Sequence, residues 1–256
     1  FQATYGWYLC TAIVHPTDSN TVIVGGLDLL KTINGGTNWT YITPTHVDMH
    51  ALAWDAAGRL LVGDDGGVER TSNLGTTWTT HNVGLGCIQF YAGLSASPAN
   101  QNYLYGGTQD NGTNQRSTDT LSWTQILGGD GGYTGVRPAN ANYVYGEYQG
   151  TGNLYRSTNY GSGMSYIGSS ISSSDRNCFL PPYAINPVND AEMLYGTHRV
   201  WYSANSGTSW TARSGDLTGG AGAIRCLVVA PSQPQTAYAV TTDGRVQVST
   251  NFGSTW

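Results

Sequence analysis

Basic residues are scarce in this chain. Its 256 residues contain 11 Lys and Arg, with Lys31 the only lysine, against 16 Asp and Glu, so the formal net charge is −5. A protein that follows a phosphate backbone needs clustered basic side chains, and the sequence has no such run. Nucleic-acid binding is therefore not expected.

Long apolar runs and paired cysteines are also missing. No stretch approaches the ~20 apolar residues of a membrane-spanning helix. The cysteines form no CxxC pair, which argues against a zinc site. Each lies near the start of an apolar strand, so we expect buried free thiols or, alternatively, one or two disulfides. They are Cys10, Cys87, Cys178 and Cys226.

Glycine and aromatic residues are abundant instead. Only 11% of the residues are charged, yet 8 Trp and 17 Tyr set the chain apart from disordered sequences, which lack aromatic side chains. The 35 Gly, together with many Ser, Thr and Asn, indicate tight turns and not long helices. A folded, turn-rich β protein is expected.

One motif, Ser/Thr-x-Asp/Asn-x-Gly-x-x-Trp, recurs along the whole chain. Complete copies occupy residues 32–39, 71–78, 203–210 and 249–256, and degenerate copies occupy 117–123 and 157–161. Successive copies start 39 to 46 residues apart, which suits a four-stranded propeller blade. The Asp or Asn side chain caps the amides of a tight turn, Gly supplies a positive φ, and Trp packs between sheets. The motif therefore predicts a role in folding and not in catalysis.

The fold class predicted from this repeat is an all-β propeller of four-stranded antiparallel blades. In the first repeat we expect strands at 8–15, 21–24, 29–32 and 39–42. The chain forms one domain, 1–256, with blades at about 8–44, 48–82, 88–128, 133–170, 178–214 and 224–256. The last blade stops before its fourth strand, so we expect further sequence and a seventh blade. The start at Phe1 instead of Met indicates a processed or trimmed form.

Strand alternation sorts the polar loops by blade face. Connections between the second and third strands share one face with connections between blades, and propeller sites commonly lie at such a face. Carboxylates crowded there either bind a cation such as Ca²⁺ or raise one another's pKa. Asp65, Asp110 and Asp130 are the candidate catalytic carboxylates, with Asp48 or Glu147 in reserve.

Two further sets of candidates follow from the same loops. His46, Asp48 and His50 alternate, so a strand would point them to one side as a metal-binding row, joined by Asp64. The alternative is that these groups cap loops. The candidate ligand-binding residues are aromatic or polar groups near the loops, although each aromatic could equally pack between blades. They are Tyr91, Gln109, Asn111, Tyr133, Glu147, Tyr148 and Trp201.

The chain resembles the secreted bacterial Asp-box propellers described as BNR-repeat or glycosyl-hydrolase-like proteins, which are related to sortilin-type domains and xyloglucan-hydrolysing enzymes. The resemblance implies an extracellular or cell-surface module of a longer chain, without a fixed activity. The early Arg-Ile-Pro motif of true sialidases is absent, so sialidase activity is not expected. The resemblance is carried by residues 6–8 (GWY), 46–52 (HVDMHAL), 62–68 (VGDDGGV), 89–91 (QFY), 106–113 (GGTQDNGT) and 128–131 (GGDG).

Three functions remain open at this stage. The first is a glycan- or protein-binding scaffold module, since Tyr and Trp stack readily on sugars and partner surfaces. The second is a glycoside hydrolase of the xyloglucanase-like type, which needs two carboxyl groups about 5–10 Å apart. The third is a subunit of a surface layer or filament. Polysaccharide or surface protein is the expected partner.

Overall fold

The structure is a computed structural model that describes residues 6, 8–42, 44–86 and 88–256, without the side chains of residues 92 and 93. Two compact units divide the chain, Phe1–Cys87 and Ile88–Trp256. The described residues form 23 strands in six antiparallel sheets, each built from strands that are consecutive in the sequence. This order is that of propeller blades, and the predicted all-β fold class is confirmed.

Unit 1 (Phe1–Cys87) contains two four-stranded blades. Blade 1 has β1 (Thr11–His15), β2 (Asp18–Gly25), β3 (Leu29–Thr32) and β4 (Thr40–Tyr41). Blade 2 has β5 (Met49–Trp54), β6 (Leu60–Asp64), β7 (Gly67–Thr71) and β8 (Thr79–Thr80). Apolar side chains of both blades form one buried cluster, which joins the two sheets face to face: Ile23, Leu29, Ile42, Met49, Leu60 and Val62.

Unit 2 (Ile88–Trp256) contains three four-stranded blades and one of three strands. Blade 3 has β9 (Phe90–Ala96), β10 (Leu104–Thr108), β11 (Gly112–Arg116) and β12 (Thr124–Leu127). Blade 4 has β13 (Gly131–Val136), β14 (Val144–Tyr148), β15 (Leu154–Ser157) and β16 (Ser165–Tyr166). Blade 5 has β17 (Tyr183–Ile185), β18 (Met193–Gly196), β19 (Val200–Ser203) and β20 (Thr211–Ala212). Blade 6 has β21 (Ile224–Val229), β22 (Ala237–Thr241) and β23 (Val246–Ser249).

Three of the four strands of the first repeat differ from the prediction in their bounds, and the fourth covers only Thr40–Tyr41. The first strand begins at Thr11 and not at residue 8, and the second begins at Asp18 and not at residue 21. The second is longer because the carboxylate of Asp18 accepts hydrogen bonds from the Asn20 amide and the Thr21 hydroxyl, which tightens the turn. The predicted single domain, seventh blade and further sequence remain predictions.

The repeated motif forms the turn between the third and fourth strands. In the copy at 203–210, the side-chain oxygen of Asn205 accepts the Ser209 amide at 2.9 Å, and the Ser203 hydroxyl accepts the Gly207 amide at 2.9 Å. Ser206 and Gly207 have φ values of 58° and 83°, so two successive residues are left-handed. Both hydroxyl and amide side chains therefore stabilise this turn.

The tryptophan of the motif does not have one environment. Trp210 is only 4% exposed, and its Nε1 donates to the Ile167 carbonyl of the preceding blade at 2.9 Å. Trp39 is 39% exposed, and its Nε1 donates within its own turn to Gly36 at 3.1 Å. The expected packing between sheets therefore holds for Trp210 but not for Trp39, which lies on the surface.

The cysteines are less buried than expected. Cys10 and Cys226 are exposed free thiols, and Cys178 is a half-buried free thiol. Cys87 lies outside the described residues. The expectation of buried thiols is thus wrong for Cys10 and Cys226, because strand edges near the loops remain open to solvent. Among the described residues, no helix is long and apolar enough to span a membrane.

Close backbone packing joins blades 3 and 4. A Cβ atom at Gly107 of β10 would overlap the backbone carbonyl of Gly132 in β13. A Cβ atom at Gly131 would in turn overlap the carbonyl of Gly112. Glycine is required at these positions because the two sheets approach at backbone distance. This contact fixes the position of β13, which carries Tyr133 towards the site described next.

Candidate functional site

A cavity of about 340 Å³ opens in unit 2, and we call it the Arg225 cavity. Its lining comes from the first strands of blades 3 and 6 and from connections that lead into blade 5 and out of β22. All these segments lie at the blade face at which a site was predicted. The lining residues are Tyr91, Cys178, Phe179, Leu180, Arg225 and Thr242.

Two exposed aromatic rings form one wall of this cavity. Tyr91 is 36% exposed and Phe179 is 56% exposed. Their ring centroids lie 6.2 Å apart at an interplanar angle of 72°, an edge-to-face arrangement. Large apolar rings left open in a recess are typical of binding sites and uncommon elsewhere on a soluble protein. The two rings therefore offer apolar surface at an angle to one another, as two sides of a recess.

A buried carboxyl group lies behind the cavity wall. Glu147 of β14 has no exposed surface, and its Oε1 accepts the Tyr133 amide at 3.1 Å. Its Oε2 has no hydrogen-bond partner among the described residues. Burial raises the pKa of Glu147 well above its usual range. The side chain is enclosed behind Tyr133 in this structure, and a ligand or catalytic role for Glu147 stays a prediction.

Glu147 is adjacent to the cavity lining through Leu180. A Cβ atom placed at Gly132 would lie 2.6 Å from Cγ of Glu147 and 3.0 Å from Cδ2 of Leu180. Glycine therefore leaves the space in which these two side chains meet. The predicted ligand residue Tyr133 is half-buried here and accepts the Tyr183 hydroxyl at its carbonyl, at 3.3 Å.

Two of the predicted catalytic carboxyls are brought into direct contact. Oδ1 of Asp130 accepts the Asp110 amide at 3.0 Å and the Tyr91 hydroxyl at 3.4 Å. Burial raises the pKa of Asp130, and the charge of Asp110 and a side-chain hydrogen bond with it raise that pKa further. Carboxyl pairs of glycosidases stand about 5 Å or more apart so that substrate or water fits between them. Oδ1 of Asp130 is thus engaged by the loop of Asp110 and by Tyr91, and a catalytic role for Asp110 and Asp130 stays a prediction.

Three other predicted ligand residues serve local structure. The carbonyl of Gln109 accepts both the backbone amide and the side-chain amide of Asn111, at 2.7 and 3.0 Å. The hydroxyl of Tyr148 lies 3.2 Å from that of Tyr155, on the neighbouring strand. These contacts explain the loop residues by turn and strand chemistry, and a ligand role for them stays a prediction.

The predicted ligand residue Trp201 is buried in a polar network. It is 8% exposed, and its Nε1 donates to Oδ2 of Asp175 at 3.0 Å. Arg199 donates to both oxygens of Asp175, at 3.0 and 2.8 Å. Burial opposes the charge of Asp175, yet these hydrogen bonds outweigh it and hold the pKa of the carboxyl below its usual range. Trp201 therefore belongs to the core of unit 2 and offers no open stacking surface.

The predicted metal row in unit 1 does not lie on one strand. His50 is in β5, whereas Asp48 precedes it with a left-handed φ of 65°, and His46 is in the loop before β5. The premise of strand alternation is wrong because a left-handed residue reverses the chain direction there. His50 Nε2 lies 2.6 Å from Oδ1 of Asp65, and oxygens of Asp48 and Asp65 lie within 4.8 Å of one another. A metal at these groups stays a prediction.

The most informative lining residues were absent from the sequence-based candidates. Phe179 and Arg225 stand at the entries to blades 5 and 6, at the same blade face as the predicted loops. Connections between blades share a face with the acidic turns, so aromatic and basic residues in those connections were the signal that could have identified them. The predicted site residues came from Asp-Gly turns instead, because Asp and Gly are typical turn residues.

Comparison with known proteins supports the fold. No protein-family model matches this chain, and no curated protein matches its sequence. The GH74 xyloglucanase from Xanthomonas campestris is similar in structure with a TM-score of 0.53 and 16% identity, over 97% of this chain and 45% of that chain. This chain thus spans less than half the length of that β-propeller protein.

Two further structures are similar at lower TM-scores. YCF48 bound to D1 peptide gives a TM-score of 0.45 and 14% identity, over 90% of this chain and 75% of that chain. YCF48 from Cyanidioschyzon merolae gives 0.43 and 14%, over 90% and 79%. Identities this low show the β-propeller fold alone, so function has to be argued from the residues of the site.

Proposed function

We propose that this chain is a binding module that receives a glycan in the Arg225 cavity. The observation that carries the proposal is the recess of about 340 Å³ with two exposed aromatic rings in its wall. A recess of this size suits a small ligand or one end of a chain. A protein partner usually covers a flatter surface of about 800 Å² on each side. Sugar rings present apolar C–H faces that pack on aromatic rings such as Tyr91 and Phe179.

Binding fits the acidic groups better than hydrolysis does. The runner-up function is a glycoside hydrolase that uses Asp65, Asp110 or Asp130, in analogy to the xyloglucanase. Hydrolysis needs an acid and a second carboxylate on opposite sides of a sugar bond. Oδ1 of Asp130 already accepts the Asp110 amide and the Tyr91 hydroxyl, so this carboxyl is engaged within the protein. An extracellular or cell-surface setting, as in secreted Asp-box propellers, is part of this proposal because such a module would meet polysaccharide there.

The test is glycan binding to the purified chain, measured by isothermal titration against a panel of oligosaccharides that includes xyloglucan fragments. We expect Phe179→Ala to weaken binding at least tenfold, because the ring forms half of the apolar wall. Tyr238→Ala is the matched control, since Tyr238 is 42% exposed on β22 and does not line the cavity. Equal affinities for the wild type and Phe179→Ala would contradict the proposal.

The same samples distinguish the alternatives. Release of reducing ends from a bound glycan, lost in Asp130→Asn, would favour the hydrolase. Binding of a protein partner that is unaffected by Phe179→Ala would favour a scaffold surface outside the cavity. The predicted Ca²⁺ effect is tested by repeating the titration with calcium and with a chelator, with Asp65→Asn as the variant that removes one candidate ligand.

A further inference from the structure

Arg225 lines the cavity and forms no ion pair with any residue that the structure describes. Other arginines of the chain form ion pairs with aspartates: Arg59, Arg137, Arg176, Arg199 and Arg245. In the part of the chain that the structure describes, no carboxylate lies within ion-pair distance of the Arg225 guanidinium. The residue is exposed and lines the cavity. Its charge is therefore available to a ligand.

Neighbouring groups position this guanidinium. Burial raises the pKa of Tyr133, whereas the charge of Arg225 and a side-chain hydrogen bond with it act to lower that pKa. Arg225 likewise acts against the burial that raises the pKa of the Cys178 thiol, so both groups are close to it. Tyr133 is itself anchored, because its amide donates to Glu147 and its carbonyl accepts the Tyr183 hydroxyl. Because its neighbour Tyr133 is anchored, the side chain of Arg225 loses less conformational entropy when a ligand binds.

The enclosed acid does not cancel the charge of Arg225. Glu147 is fully buried behind Tyr133, where burial raises the pKa of its carboxyl, and it forms no ion pair with Arg225 in the described part of the chain. Asp243, next to the lining residue Thr242, is engaged elsewhere, since it accepts hydrogen bonds from Gly219 and Arg245. The cavity thus combines an apolar wall with one uncompensated positive charge, within a protein whose net charge is −5.

We infer that the glycan received by the Arg225 cavity is acidic, and that a sugar carboxylate binds the guanidinium of Arg225 while the sugar ring packs against Tyr91 and Phe179. The inference rests on the proposed function and names the ligand class for the same site. A planar guanidinium binds a carboxylate with two parallel hydrogen bonds, which are stronger than those to a neutral hydroxyl. Uronic acids carry a sugar ring and a carboxylate in one residue, which matches the two kinds of group that line this cavity.

A matched pair of probes tests the inference with the full chain. Trigalacturonic acid and its methyl ester have the same ring skeleton, but only the acid carries negative charge. By isothermal titration at low salt, we expect the wild type to bind the acid at least tenfold more tightly than the ester. Arg225→Gln should reduce binding of the acid to the level of the ester and leave the ester unchanged.

Arg116→Gln is the control for the loss of one positive charge. Arg116 ends β11 at the opposite end of blade 3, where it donates to backbone carbonyls, and it does not line the cavity. The Arg116→Gln variant should bind both probes with the affinities of the wild type. Thermal melting of each variant verifies folding. Arg225→Lys keeps the positive charge but loses the planar guanidinium, so it should bind the acid with intermediate affinity.

Failure of the acidic-sugar inference and failure of the proposed glycan binding give different results. Equal binding of acid and ester, or discrimination that survives Arg225→Gln, overturns the acidic-sugar inference but leaves glycan binding intact. Binding of neither probe overturns the inference, and the oligosaccharide panel with Phe179→Ala then decides the proposed function separately. A peptide with a free C-terminal carboxylate that binds through Arg225, where its amide does not, would overturn the assignment to a sugar.

Discussion

A single carboxyl group at the end of β6 should make the stability of unit 1 depend on pH. Oδ1 of Asp64 accepts the Gly66 amide at 2.9 Å, while its Oδ2 is buried without a hydrogen-bond partner in the described part of the chain. Burial raises the pKa of Asp64 to about 6, and the negative charge of Glu69 adds to this effect. The Gly66 hydrogen bond and His46 act in the opposite direction but do not outweigh burial.

The size of the effect follows from the shift in pKa. A change from 3.8 to about 6 is roughly two units, and each unit corresponds to about 1.4 kcal/mol of folding free energy. Because the folded-state pKa of Asp64 is raised, its contribution to stability is complete below pH 4 and is lost as the pH rises through 6. The loss is at most about 3 kcal/mol, since solvent screens a half-buried charge in part.

Asp64→Asn isolates this contribution, since asparagine keeps the oxygen that accepts the Gly66 amide but does not ionise. Urea denaturation at pH 4 and pH 7.5 should give a free energy of unfolding that rises, relative to the wild type, by up to about 3 kcal/mol between the two pH values. Asp18→Asn is the control for the direction in which stability changes with pH. Hydrogen bonds from Thr21 and Asn20 lower the pKa of Asp18, so its loss should destabilise the fold more at pH 7.5. An effect of Asp64→Asn that is the same at both pH values would refute the reasoning.

Further predictions concern unit 2, and each has an internal control. Asn205→Ala removes three hydrogen bonds of the repeated turn and should destabilise by about 1–3 kcal/mol in urea denaturation, whereas Asn159→Ala, whose side chain makes none of those bonds in the described structure, should be near neutral. Gly107→Ala would force a methyl group into the backbone of β13 and should cost about 3 kcal/mol or prevent folding, whereas Gly128→Ala meets nothing within 4 Å and should be tolerated. Glu147→Gln should become more stable than the wild type as the pH rises from 5 to 9, because burial raises the pKa of Glu147 and its ionisation destabilises the fold. A flat pH profile for the difference between Glu147→Gln and the wild type would contradict the raised pKa of Glu147.

The blade architecture could be predicted because its signals are local. Each repeated turn is stabilised by side chains within eight residues, as in the bonds of Asn205 to Ser203 and Ser209. The residue before the motif pairs with the residue after its last position in blades 1 and 2, as Lys31 does with Thr40 and Arg70 with Thr79. A period of this kind is written in the sequence itself, so it reveals strand order without any coordinates.

The predicted row of His46, Asp48 and His50 shows where a local pattern misleads. Alternation of ligand-type residues implies one strand only if the backbone stays extended. The left-handed φ of 65° at Asp48 breaks that condition, and a non-glycine residue in this conformation is uncommon enough that the pattern gives no warning. The prediction needed a backbone angle that residue types alone do not specify.

The Arg225 cavity could not be predicted because it depends on distant segments and on what each charge contacts. Tyr91 and Phe179 are far apart in the sequence, yet their rings meet at 6.2 Å. Two of the acidic residues predicted from the sequence are engaged within the protein, Asp130 by the Asp110 amide and Asp65 by His50. Arg225 differs from the paired arginines only in what surrounds it. Composition reports how many charges a chain has, whereas binding depends on which charge the fold leaves without a partner, and that is a property of three-dimensional packing.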